Sequence, residues 1–134
     1  GLPKRESVWW ACLCAKDSHN AQTDELNRSA LAATEGWVRS PNEERRQQCK
    51  LMGEQTRHKT AASWAATAAA WSHGSLSAPG DPAIETPAHL YAHAVAGSVT
   101  LAAVHSDPVS PEKLLAKFLK RGLDLARGGN GKLA

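Results

Sequence analysis

Three times in this chain of 134 residues a hydroxyl residue is followed at once by proline: Ser40-Pro41, Thr86-Pro87 and Ser110-Pro111. A helix leaves its first backbone N–H groups without partners, and a Ser or Thr oxygen accepts from one of them. Proline suits the next position, because its ring presets a helical φ and it lacks the N–H that would go unpaired. Glu43 stands three residues beyond Ser40 and completes a capping-box pattern. Glu112 falls in the first turn after Ser110, where a carboxylate meets the positive end of the helix dipole. Three marked helix starts predict an all-α fold, a compact bundle of five to six helices.

Composition agrees. Alanine occurs 24 times and leucine 14, against six valines and one isoleucine. Alanine is the best helix former and β-branched residues suit strands. The length fits one domain with a real core, so residues 1–134 are read as a single helical domain. A net charge of +3 is a mild basic excess, too weak for a nucleic-acid binder's field. No apolar run approaches the length of a membrane span. The apolar patch Val8–Ala15 follows Lys4 and Arg5 but lacks a cleavage site, so it reads as a helix and not a signal peptide. The three cysteines, Cys12, Cys14 and Cys49, are an odd number in a chain with a sizeable core. That argues for reduced thiols and a cytoplasmic protein.

Along the chain, residues 7–17 predict a first helix with Ser7 as its cap, and Asp24 to Val38 a second. Pro41 to about Arg57 predicts a mostly polar third helix whose narrow buried stripe is Arg45, Cys49, Met52 and Thr56. The fourth, Ala61 to Ser72, is the densest in alanine, and Trp64 and Trp71 are expected to fill its core contacts. Gly74 is its expected C-cap. A Pro- and Gly-bearing loop spans 75–85. The fifth helix, Pro87 to about His105, is apolar on most sides and therefore expected to be central. The sixth, Pro111 to Arg127, turns Leu114, Leu115, Phe118, Leu119, Gly122, Leu125 and Ala126 inward and its lysines outward. Gly128-Gly129 stops it, leaving residues 129–134 as a loose tail.

Chemistry-bearing residues are few. His89 and His93 share a helix face at i, i+4, the spacing of a zinc pair, but no further ligand lies nearby and they read as surface histidines. Cys12 and Cys14 lie two apart, so on a helix their thiols diverge by about 200° and cannot chelate together. The basic face of the last helix lacks the interleaved aromatics of a nucleic-acid reader and reads as solvated. Arg45 falls inside an apolar stripe, where a guanidinium needs an oxygen partner; it is expected to be a clamp or a partner contact. The run Ser72-His73-Gly74-Ser75 follows a helix instead of preceding one, and reads as a tight exit. No cofactor, no metal and no enzymatic activity are expected.

The run Trp37 to Arg46 (W-V-R-S-P-N-E-E-R-R), then Ser63-Trp64-Ala65-Ala66, Ala70 to Leu76 and Ala94 to Ala103 resemble one group. It is an uncharacterised family of small bacterial helical proteins, some encoded beside type VI secretion genes. The resemblance covers about residues 36–128, leaving 1–30 as a variable segment. His73 stands where those proteins carry glycine. The resemblance implies a helical fold and a neighbourhood of secreted effectors, and it carries over no catalytic residue. Five tryptophans against one Phe and one Tyr point to interface use. Adjacent Trp9 and Trp10 diverge by about 100° on a helix, so both need not fit one core stripe. The expectation is a non-enzymatic adaptor or chaperone for a type VI effector or spike component, docking through Trp9, Trp10 and Arg45. The alternative is an immunity protein that blocks a toxin, which usually needs a stronger charge. Neither nucleic acid nor a membrane is an expected partner.

Overall fold

In the computed structural model, which describes residues 3–73 and 86–132, the helix starts are set by Asp24, Asn42 and Thr60. Each side-chain oxygen accepts the backbone N–H three residues on: Asn27 at 2.8 Å, Arg45 at 2.8 Å and Ser63 at 3.1 Å. They open α2 (Glu25–Arg39), α3 (Glu43–Gln55) and α4 (Ala61–Trp71). The other helices are α1 (Lys4–Asp17), α5 (Ala88–Ser106) and α6 (Glu112–Ala126). Among the described residues there are six helices and no strand, the all-α bundle expected.

The Ser/Thr-Pro pairs mark the right places for a different reason than the one inferred. Ser40 is not the N-cap of α3: its N–H donates to the Gly36 carbonyl at 3.0 Å, which makes it the end of α2. Pro41 follows, and Asn42 takes the cap, since its amide oxygen reaches the first turn as well as a hydroxyl would. Glu43 then lies inside the helix and pairs with Arg46. At α5 and α6 the boundary residues are Pro87 and Pro111 themselves, one after Thr86 and Ser110. The Ser110 N–H instead donates to the Asp107 carboxylate at 3.0 Å, closing the α5–α6 turn. Proline holds the boundary position at both starts. Ser7 is likewise not a cap: α1 begins at Lys4 behind Pro3, and the Ser7 N–H donates to the Pro3 carbonyl. Gly74 lies outside the described residues.

Helix α4 is the centre. It packs against α1, α2, α3 and α5, whereas among the described helices α6 touches only α1 and α5. The expectation of a central α5 is met only in part: its buried face is Ala94, Val95, Ser98, Val99, Ala102 and Ala103, and Ala92, Ala96 and Thr100 are exposed. Alanine on α4 lets neighbouring backbones come close. A Cβ added to Gly53 of α3 would meet the Thr67 hydroxyl at 2.5 Å, so that contact requires glycine. Buried hydroxyls at such contacts all donate to helical carbonyls: Ser98 to Ala61 at 2.7 Å, Ser63 to Gly53 at 3.1 Å and Thr67 to Ser63 at 2.9 Å. None is left unsatisfied, as burial demands.

Two core assignments change. Trp64 and Trp71 are only partly buried and meet edge to face at 6.1 Å between ring centroids, with His58 against Trp64 at 5.1 Å. They roof the core; Trp37 and Phe118 are the aromatics inside it. The alanine helix leaves no room for two indoles within. Arg45 is exposed, and the clamp is Arg46, 3% exposed. Its guanidinium donates to both Glu43 carboxylate oxygens, at 2.8 and 2.6 Å, and to the Ala70 carbonyl at 2.6 Å. The buried stripe of α3 thus runs Arg46, Cys49, Met52 and Gly53 and continues to Thr56 at the C-cap; of the predicted stripe only Arg45 is replaced.

Candidate partner-binding surface

Trp9 and Trp10 sit on α1, and the helical turn sends them to opposite sides of the seam where α6 and the chain after it lie on α1. Trp10 faces α6. Its indole N–H donates to the Phe118 carbonyl at 2.6 Å, and its ring lies so close to Gly122 that an added Cβ would stand 3.1 Å away. Gly122 is therefore what lets the indole lie flat on α6. Trp9 faces residues 129–132: its N–H donates to the Asn130 carbonyl at 3.1 Å, and the Lys132 ammonium lies 6.0 Å from the ring centroid. The tail is thus tied down as far as Lys132. Gly131, with φ 76°, is buried and donates its N–H to Asp124 at 3.0 Å.

The seam is otherwise held by polar contacts. Arg121 pairs with Asp17 at 2.7 Å and donates to the Leu13 carbonyl at 3.2 Å, while Lys117 reaches the same Asp17 at 3.4 Å. Of the α6 face expected inward, Leu119 (57% exposed) and Ala126 are turned out, and Leu123, outside that face, is also exposed at 54%. Only Phe118, Arg121 and Leu125 are buried on this helix.

Each tryptophan floors a groove. On the Trp9 side a groove of 560 Å³ is lined by Pro3, Val38 and Leu125, with Arg5, Glu6 and Arg39 also lining it. The Arg5 guanidinium is fixed on the Val38 carbonyl at the end of α2, and Arg39 reaches Glu35 at 3.6 Å. On the Trp10 side a groove of 410 Å³ runs between α5 and α6 over Tyr91, Val95, Ala96, Leu115 and Leu119. Arg45 lines neither; its guanidinium lies over Gly36. The expected pair of tryptophans is thus split between two surfaces, with Arg45 on a third.

Sequence reasoning missed the cations around Trp9. Arg5 was legible, four residues before Trp9 and so on the same helix face. Arg39 and Lys132 were not, because they arrive from the far ends of other elements.

Elsewhere the three thiols are buried and the paired histidines of α5 are exposed. Burial raises all three thiols, Cys14 and Cys49 to about 12, and Cys12 well above its ordinary value with Glu35 adding to the rise. A thiol held protonated is a poor nucleophile. His89 and His93 are exposed, their rings edge to face at 5.7 Å, and no three His, Cys, Asp or Glu side chains converge among the described residues. A polar pocket of 230 Å³ gathers His19, Asp24, Asn27, Thr60 and His105. Burial and then Arg28 lower the His19 pKa. Asp24, Asn27 and Thr60 are joined there by their own hydrogen bonds, so the pocket is the shared cap of α2 and α4. No described helix is long and apolar enough to cross a membrane.

Fold and surface define a small all-α bundle with an alanine-walled centre and one amphipathic helix at its edge. The chain belongs to DUF6931, a family of unknown function, whose model matches residues 1–126. The match takes in α1, and so begins ahead of residues 36–128, which carry the resemblance. No curated protein and no solved structure matches.

Proposed function

We propose that this protein is a non-enzymatic interaction module that works in the cytoplasm and captures another protein on the α1 face around Trp9. The observation behind the proposal is the Trp9 groove. Its half-buried indole has already placed its N–H on Asn130, so the face it turns to the groove offers apolar area with no polar group left to desolvate. Tryptophan in such a setting supplies much contact area with few rotors to freeze. The protonated thiols and the self-satisfied cap network argue in the same direction, because neither offers a poised acid, base or nucleophile. The family resemblance supplies a setting: an adaptor or chaperone for a type VI effector or spike component in the producing cell.

Trp10 is committed to packing on α6, so Trp9 alone is the residue to change. Trp9→Ser and the native protein should be used to capture partners from the native host, with bound proteins identified by mass spectrometry. The expected result is one protein lost with Trp9→Ser while the melting temperature stays within a few degrees of the native value. An effector or spike component in that position supports the adaptor reading, and a toxin converts it to an immunity protein. Identical capture by both forms overturns the assignment of this face.

A further inference from the structure

We propose that the occupant of the Trp9 groove is an acidic segment of a partner protein, with one apolar side chain placed on the indole. The inference rests on the interaction reading above and adds the chemistry of the partner. The walls supply the apolar half: Pro3, Trp9, Val38 and Leu125 form a continuous lining in a groove of 560 Å³, within the size range of sites that bury a ligand.

Charge supplies the other half. Arg5 and Arg39 line the groove and Lys132 stands over the Trp9 ring; among the described residues Glu6 is the lining carboxylate, while Glu35 pairs with Arg39 and Asp124 is taken by the Gly131 N–H. These cations differ in what they can do. Arg5 is held by the Val38 and Arg39 carbonyls, where it offsets the negative end of α2. Arg39 is 73% exposed, and its Glu35 contact of 3.6 Å is long enough to give way to a better acceptor. Lys132 lies above the ring face, so an apolar group arriving on Trp9 comes beside an ammonium. A basic segment would meet three positive charges here. An acidic one gains Arg39 and Lys132 as partners on either side of its apolar anchor, which complements the groove and speeds encounter.

The test uses a fluorescein-labelled twelve-residue peptide of alternating Glu and Ser with one central Leu, titrated with the full chain and read by anisotropy and by the Trp9 indole N–H resonance. Controls are the Lys-for-Glu peptide and the peptide lacking Leu. The acidic Leu peptide should bind at least about tenfold tighter than either control, weaken as salt rises, and shift the Trp9 resonance. Arg39→Glu and the milder Arg39→Gln should weaken it, the first by about tenfold or more, with the melting temperature unchanged. Equal binding of the acidic and basic peptides overturns the proposal. So does host-partner capture that needs Trp9 but is unaffected or strengthened by Arg39→Glu; there the interaction reading survives and the acidic occupant does not. Self-association of the chain that Arg39→Glu abolishes puts a second copy in the groove and also overturns it.

Discussion

Helix α4 buries nine of its eleven residues, whereas α6 buries three of fifteen. By the usual reading of periodicity their order should be less extreme, since α6 has the cleaner apolar and polar faces and α4 has almost no pattern. A helix lined with alanine on every side has nothing to turn toward water and can be surrounded by four others. A two-faced helix announces a boundary, and α6 sits at one. Its apolar stripe is wider than the contact available, so Leu119 and Leu123 spill outward. What fixes α6 is a narrow buried face, Phe118 and Leu125, together with directional ties: an indole on the Phe118 carbonyl and Asp17 bridging Lys117 and Arg121. One helix is held by shape on every side; the other combines one buried face, centred on Phe118, with polar ties to α1.

The contrast can be broken or sharpened by experiment. The largest effect belongs to the core around α4. Trp37→Ala, at a ring only 3% exposed, should lower stability by about 3–5 kcal/mol in urea unfolding, and the partly buried Trp71→Ala by clearly less. Equal losses would put the roofing indoles on the same footing as the interior one. Ala66→Leu, at a fully buried site, should cost about 1–3 kcal/mol through overpacking, and a smaller effect would show slack around α4.

Arg121→Ala should release α6 locally. Hydrogen exchange should quicken in α6 before α4, and Cys14, whose thiol contacts Arg121, should react with a thiol reagent before Cys12 and Cys49. Simultaneous labelling of all three would mean that α6 opens only with global unfolding.

A smaller effect follows from the Arg46 clamp. Hydrogen bonds from Arg46 and Gln47 hold the Glu43 carboxyl down to about 2, below its ordinary 4.5. Its stabilising contribution is therefore complete above pH 4.5 and is lost as pH falls toward about 2. Glu43 is 64% exposed, so solvent screening limits the effect to less than about 1 kcal/mol. Glu43→Gln should flatten that part of the pH profile of the urea midpoint; an unchanged slope would mean that Glu43 does not set it. The smallest change is expected at Leu119→Ser, within about 0.5 kcal/mol, since the side chain already meets water. A loss of 2 kcal/mol or more would show that α6 is packed as tightly as α4.

Much of this architecture was legible in the residues. Helix class and order follow from alanine content, periodicity and proline placement, and α6 ends at Ala126, with Gly128 just beyond its cap at φ 91°, as its glycines indicate. The candidate site was half legible: Trp9 and Trp10 were visible as an unusual pair, and their division between two grooves was not. Arg45 and Arg46 show why. They are neighbours about 100° apart, and which of them points inward depends on the rotation of α3 against α4, a quantity no local spacing contains.

The sequence by itself determined that this chain is helical and where proline interrupts it, because backbone propensity and side-chain size act locally. Only the tertiary structure decided which cap oxygen is used, which arginine is buried, and that Arg39 and Lys132 meet at Trp9. Those outcomes depend on how rigid helices settle against one another. Residues 9, 39 and 132 come near one groove only after the chain between them has folded, when burial and hydrogen bonding across helices select one arrangement.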